Sequence, residues 1–158
     1  MDKTKSFEAW TRRLSAMIVM AVILVATSGA RAASPIANGD SVVVVVSAAS
    51  GVTEISRLHL ADLYMGRTTR LPNGLLAVPI DQTAGSTVRK AFSATYLERS
   101  EAQIKAHWSK VIFTGRGRPP AEVADDAAVR DIVAGDPRAI GYIDASLVDS
   151  RLRVVRVR

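Results

Sequence analysis

Hydrophobic residues in this 158-residue chain come in short runs, and the period of those runs changes along its length. The first run, Ala16 to Ala26, is uninterrupted and apolar but only half as long as the ~20 residues a helix needs to cross a bilayer core. Lys3, Lys5, Arg12 and Arg13 precede it, and Ala30-Arg31-Ala32 follows. A basic start, a short greasy middle and a small-residue exit predict a secretory signal peptide over 1–32, cut before Ala33. The alternative, an uncleaved anchor, is disfavoured by length. Residues 33–40 read as a flexible lead-in with Pro, Gly and Asn, and 41–158 as one domain.

Val42 to Val46 is five valines in a row, the pattern of a strand buried on both faces. Ser56 caps a predicted helix with Leu60, Leu63 and Tyr64 on one face and Gly66 as its stop. Leu71-Pro72-Asn73-Gly74 predicts a turn in which Asn73 and Gly74 take positive φ. Leu75 to Ile80 reads as a strand, and Ser86 to Leu97 as a helix with Val88, Phe92 and Tyr96 in register. Ser100 and Gln103 have capping-box spacing before a helix that buries Ile104, Trp108, Val111 and Ile112. After the loop Gly115 to Pro120, a helix is expected from about Ala121 to Ala134, ended by Gly135 and Pro137. Ala139 to Ile143 and Leu152 to Val157 read as closing strands. Helices interleaved with apolar strands predict an α/β fold with a mixed, mostly parallel sheet flanked by helices.

Composition narrows the chemistry. With no cysteine and only His59 and His107, the chain has no thiolate metal site, iron–sulfur cluster, Cys nucleophile or three-histidine zinc site. Neither a cofactor nor a metal is expected. The net charge of +6 is reduced by export: the leader carries five basic and two acidic residues, leaving 16 basic against 13 acidic, or +3. A modest positive charge on an exported protein argues against nucleic acid and suits an anionic small ligand. No G-x-S-x-G elbow, Walker loop or spaced nucleophile–base pair is present. No catalytic residues are assigned, and a non-enzyme is expected.

One segment does suggest binding. The strand ending at Ile80 runs through Asp81-Gln82-Thr83-Ala84-Gly85-Ser86-Thr87 into a helix. Such a junction sets backbone N–H groups at a positively polarised helix end, where Gly85 admits close approach and Thr83, Ser86 and Thr87 add hydroxyls. Ligands in open α/β sheets sit beyond the carboxyl ends of strands. Two roles stand open for Ser86, anion donor or helix cap. Arg89 either reaches the same helix end or is a solvated charge. Asp81 opposes a bound anion unless it faces away or accepts a ligand proton.

Several stretches share a further pattern. Leu63-Tyr64-Met65-Gly66-Arg67, Val78-Pro79-Ile80-Asp81, Gly85-Ser86-Thr87, Phe113-Thr114-Gly115-Arg116-Gly117 and, most specifically, Ala139-Ile140-Gly141-Tyr142-Ile143-Asp144 resemble the phosphate-binding proteins of ABC transporters. The likeness runs from about Val42 to Ala145. It implies the type II periplasmic-binding-protein fold, a phosphate or related oxyanion ligand and a link to phosphate ABC transport, while the predicted leader places the protein in the periplasm, where a membrane transporter or sensor is the candidate partner. Two departures stand out. The family's phosphate-binding Arg falls at about Asp81, and its Ser-Gly-Thr order becomes Gly85-Ser86-Thr87. Family members close two lobes over the anion, whereas 126 residues supply little more than one, so weak binding is expected unless a second chain covers the site. The competing expectation is a protein-interaction module that keeps the fold without a small ligand.

Overall fold

The computed structural model describes residues 42–158; the signal-peptide and lead-in assignments over 1–40 lie outside them. Strand β1 (Val42–Ser47) is an interior strand of the main sheet, with Val44, Val45 and Val46 buried, as its unbroken valine run requires. It is followed by β2 (Glu54–Ile55), helix α1 (Arg57–Tyr64) and β3 (Val78–Gln82). Helix α2 (Thr87–Phe92) continues as a π-turn over Ser93–Leu97, and α3 spans Glu101–Phe113. The chain closes with β4 (Ala121–Val123), α4 (Asp126–Gly135), β5 (Ala139–Asp144), β6 (Leu152–Val154) and β7 (Arg156–Val157).

The main sheet has the order β4-β3-β5-β1-β6, and β2 pairs with β7 in a small separate ladder. β3 runs parallel to both β4 and β5, as β2 does to β7, while β1 is antiparallel to β5 and β6. Three of these five pairings are parallel, two of the four in the main sheet and the one in the separate ladder, giving the mixed α/β architecture expected. The main sheet's two faces are packed separately. One face carries Leu60, Tyr64, Phe92, Ile104, Trp108 and Tyr142, the other Val129, Val133, Ile80 and Ile143. No helix among the described residues is long and apolar enough to cross a membrane.

The helix ends follow their sequence signals. Ser56 Oγ accepts from the His59 amide, and Ser100 with Gln103 forms the full capping box. Gly66 ends α1 at φ 67°, and a Cβ there would come within 2.8 Å of the Trp108 ring, so glycine is required twice over.

Other expectations need correction. In the 71–74 turn only Gly74 has positive φ. The strand expected from Leu75 begins at Val78, because Leu75 and Leu76 are exposed and join only a single bridge between Arg70 and Leu76. Ile112 is exposed: it lies one turn beyond Trp108 on the same stripe, but α3 buries only Ile104 and Trp108. Ala121–Val123 is strand rather than helix: Pro119-Pro120 imposes extended backbone, β3 supplies a partner, and the helix waits for its cap at Asp125. The last strand is two, because Val155 turns inward and Arg156–Val157 leaves for β2.

Candidate functional site

The segment 83–86 emerges at the carboxyl end of β3, beside the carboxyl end of its parallel neighbour β4 and the first turn of α4. The Thr83 amide donates to Val123 O at 2.9 Å, tying the two strand ends together. Thr83, Ala84, Gly85 and Thr87 are exposed to solvent, so core side chains do not roof the loop. Gly85 makes the turn at φ 91°, and its amide lies 3.4 Å from Glu101 Oε1, a long contact.

Ser86 is the N-cap of α2, its Oγ accepting from the Arg89 amide at 3.2 Å. The same Oγ donates its one proton to Gln82 Oε1 at 2.7 Å. Gln82 is held in that orientation because its Nε2 donates to Asp126 Oδ1 at 2.6 Å and to Tyr142 O at 3.3 Å. The Ser86 hydroxyl therefore has no proton left for a guest. By contrast, the Thr87 and Val88 amides, the first two of the helix, meet no acceptor among the described residues. These amides, with the exposed Thr87 side chain, form the donor set that remains.

Arg89 is drawn inward. Its guanidinium donates to Gln82 O at 2.5 Å and Glu122 Oε1 at 2.8 Å, and pairs with Asp81 Oδ2 at 3.1 Å. Asp81 faces away from the loop into the interior, where its Oδ1 accepts from the Tyr142 hydroxyl and the Gln82 amide. Burial raises the Asp81 pKa, against the lowering influence of Tyr142 and Arg89. The Tyr142 phenol is pushed far up by burial and by the Asp81 charge, so it stays neutral, donating to Asp81 and accepting from the Gln82 amide at 3.1 Å. Its ring stacks on Phe92 with centroids 3.9 Å apart, which anchors α2 to the sheet beneath the loop.

Beyond the loop, a cleft of about 430 Å³ lies between α3 and β4, lined by Ala84, Arg89, Glu101, Trp108, Ile112 and Glu122. The histidines stand apart: His59 Nε2 meets Arg70 O at 2.7 Å, and His107 Nε2 meets Met65 O at 2.9 Å. Of the residues singled out from the sequence, the structure gathers Thr83, Gly85, Ser86 and Thr87 at one mouth and sets Arg89 against carboxylates. The residues that decide the hydrogen bonding there, Gln82, Asp126, Tyr142 and Glu122, escaped sequence reasoning. The available signal was a polar Asp81-Gln82 pair closing an otherwise apolar strand.

Asp126 carries the site's electrostatic cost. Burial raises its pKa; the Gln82 hydrogen bond lowers it, while the charges of Asp144 and Asp125 raise it. A raised folded-state pKa means the folded chain holds a proton that the unfolded chain has released. The group's contribution to stability is therefore lost as pH rises through that value. Asp126→Asn keeps an oxygen for Gln82 and removes the charge. The expected result is unchanged or slightly higher stability at pH 7, and a flatter stability profile between acid and neutral pH by urea denaturation. An unaltered profile would show that Asp126 does not carry this dependence.

No family model matches the sequence, and no curated protein is similar to it. Solved structures do match. An ABC-type phosphate transport receptor from Vibrio cholerae superposes at TM-score 0.58 and 18% identity, covering 74% of this chain and 46% of that one. A Clostridium perfringens protein assigned to the phosphate ABC transporter substrate-binding proteins and solved with bound phosphate gives 0.60 and 19%, covering 74% and 44%. PstS from Borrelia burgdorferi gives 0.57 and 13%, covering 75% and 47%. The chain spans less than half the length of each. At these identities the likeness establishes architecture: the described residues have the fold of a single periplasmic-binding-protein-like lobe.

Proposed function

We propose that this chain is an exported, non-enzymatic solute-binding-like protein that takes phosphate or a related oxyanion weakly at the mouth formed by Thr83, Gly85, Ser86 and Thr87, in association with phosphate ABC transport. The observation that carries the reading is the pair of unengaged amides at Thr87 and Val88, at the helix start beyond the carboxyl end of β3, with Thr87 exposed to solvent. The fold shared with phosphate receptors supports it. Ser86 serves as cap, and Arg89 acts by fixing the loop through Gln82 O rather than by direct contact. Export to the periplasm rests on the leader-like sequence of 1–32, and a membrane transporter or sensor is the partner such a role calls for.

The energetics predict low affinity. A helix end contributes about 0.3–1 kcal/mol, and each amide bond to an anion about 1.5–3 kcal/mol, which places the dissociation constant near the millimolar range. The neighbouring Asp126, Glu101 and Glu122 carboxylates act against the anion. Isothermal titration of the monomer with phosphate should return millimolar binding, and submicromolar affinity would overturn this assignment of donors. A second chain laid over the loop would raise affinity by excluding water.

Thr87→Pro is a sharper test. Position 87 is the first helical residue, where proline is favoured, and Ser86 already has the extended ψ of 132° that a following proline needs. The substitution deletes one donor without breaking a hydrogen bond. Melting temperature should hold or rise slightly while phosphate binding drops by about tenfold or more. The second reading, an interaction module without a small ligand, is favoured by the committed Ser86 proton and the saturated Arg89. It predicts no phosphate binding in either protein.

A further inference from the structure

The outer end of α3 carries a charge pattern that the oxyanion site does not use. Between Glu101 and Glu122 every formal charge is positive: Lys105, Lys110, Arg116 and Arg118. All four are exposed, and none joins an ion pair among the described residues. Elsewhere Arg57, Arg67, Arg89, Arg130, Arg138, Arg151 and Arg158 are each matched by a carboxylate, and Arg70, Lys90, Arg99, Arg153 and Arg156 form no ion pair among the described residues; what sets the α3 end apart is that its cations surround an exposed aromatic. Amid these unmatched cations stands Phe113, the last residue of the helix, 92% exposed, next to Ile112 at 55%.

An aromatic ring is costly to leave in water, and four cations without counter-charges call for an anionic partner. We propose that this end of α3 and the 114–118 loop form a docking surface for an anionic lipid bilayer, with Phe113 entering the headgroup region and Lys110, Arg116 and Arg118 meeting lipid phosphates. Two exposed apolar residues are too few for the core of a protein interface, which buries roughly 800 Å² per partner. A bilayer needs no matched shape and rewards each basic residue separately, together with a small inserted apolar tip.

The test exploits the absence of cysteine. Residues 33–158, the chain without its predicted leader, carrying Thr114→Cys with an environment-sensitive fluorophore, are mixed with phosphatidylcholine vesicles containing about 30 % phosphatidylglycerol, a composition that supplies the negative surface potential. A control label at the exposed Ser150 reports contact through the 145–151 segment, a surface outside the proposed patch. The Thr114 probe should shift to the blue on anionic vesicles, not on pure phosphatidylcholine, and the Ser150 probe should not shift. Replacing Lys110, Arg116 and Arg118 together by Gln should weaken partitioning on the order of a hundredfold without changing the melting temperature. Equal shifts at both labels, an equal response to neutral vesicles, retention in the triple variant, or a response confined to polyglutamate would each overturn the proposal. Phosphate is absent throughout, so the outcome is independent of the oxyanion reading.

Discussion

Arg89→Met is expected to cost the fold about 3–5 kcal/mol, the penalty for stranding a buried carboxylate. Asp81 and Arg89 side chains are 13% and 12% exposed, and their 3.1 Å pair is the only cationic compensation Asp81 has among the described residues. Methionine keeps most of the packing volume but removes the donors to Gln82 O and Glu122 as well. Glu122, at 46% exposed, returns to water at little cost, so the loss centres on Asp81. Without the guanidinium that lowers it, the Asp81 pKa rises further above its unfolded value. The folded variant then binds the extra proton, and its deficit against the parent should shrink as pH falls from neutral towards 4. Urea denaturation at pH 7 and pH 4.5 measures both effects. Adding Asp81→Asn should recover most of the loss at pH 7. A single-variant loss below about 1 kcal/mol would mean that water, not Arg89, solvates Asp81.

Gly141→Ala is the other large effect. A Cβ on Gly141 would lie 2.5 Å from Val129 Cγ1 and 3.1 Å from Val133 Cγ2. Both valines are fully buried and β-branched, so neither can rotate away without disturbing α4 against β5. Overpacking of this kind costs about 1–3 kcal/mol, and the stiffness of the two neighbours puts this case at the upper end. Combining it with Val129→Ala, which opens the needed space, should cost less than the two changes summed. Strict additivity in chemical denaturation would show that the clash relaxes elsewhere.

These two positions mark the limit of what the sequence made legible. The strands β1 and β5, the capping box at Ser100, and the stop at Gly66 could be read directly, because each depends on residues within a few positions of one another. The glycine in Ala139-Ile140-Gly141-Tyr142 was visible as part of a resemblance, but its contact with α4 was not. Strand β4 falls inside a predicted helix because three residues carry almost no periodic signal and its reason to exist is a ladder with β3 about 40 positions away. The site shows the same division. Gly85, Ser86 and Thr87 could be located at a strand-to-helix turn, whereas the fate of the Ser86 proton depends on Gln82 and Asp126, which only the sheet brings together. Arg89 looked like an anion contact by its spacing, and long-range carboxylates gave it other work.

The placement of β1 has a consequence for the order of assembly. Val42 pairs with Asp144 and Val45 with Val154, so the first strand of the lobe finds both its neighbours about a hundred residues downstream. Closing loops of that length before any pairing is gained makes for slow folding. A nascent chain cannot finish the sheet early: Val42 to Val46, its most aggregation-prone stretch, stays uncovered until β5 and β6 have been synthesised. Such a chain stays threadable through most of its synthesis, at the cost of an exposed valine run over that interval.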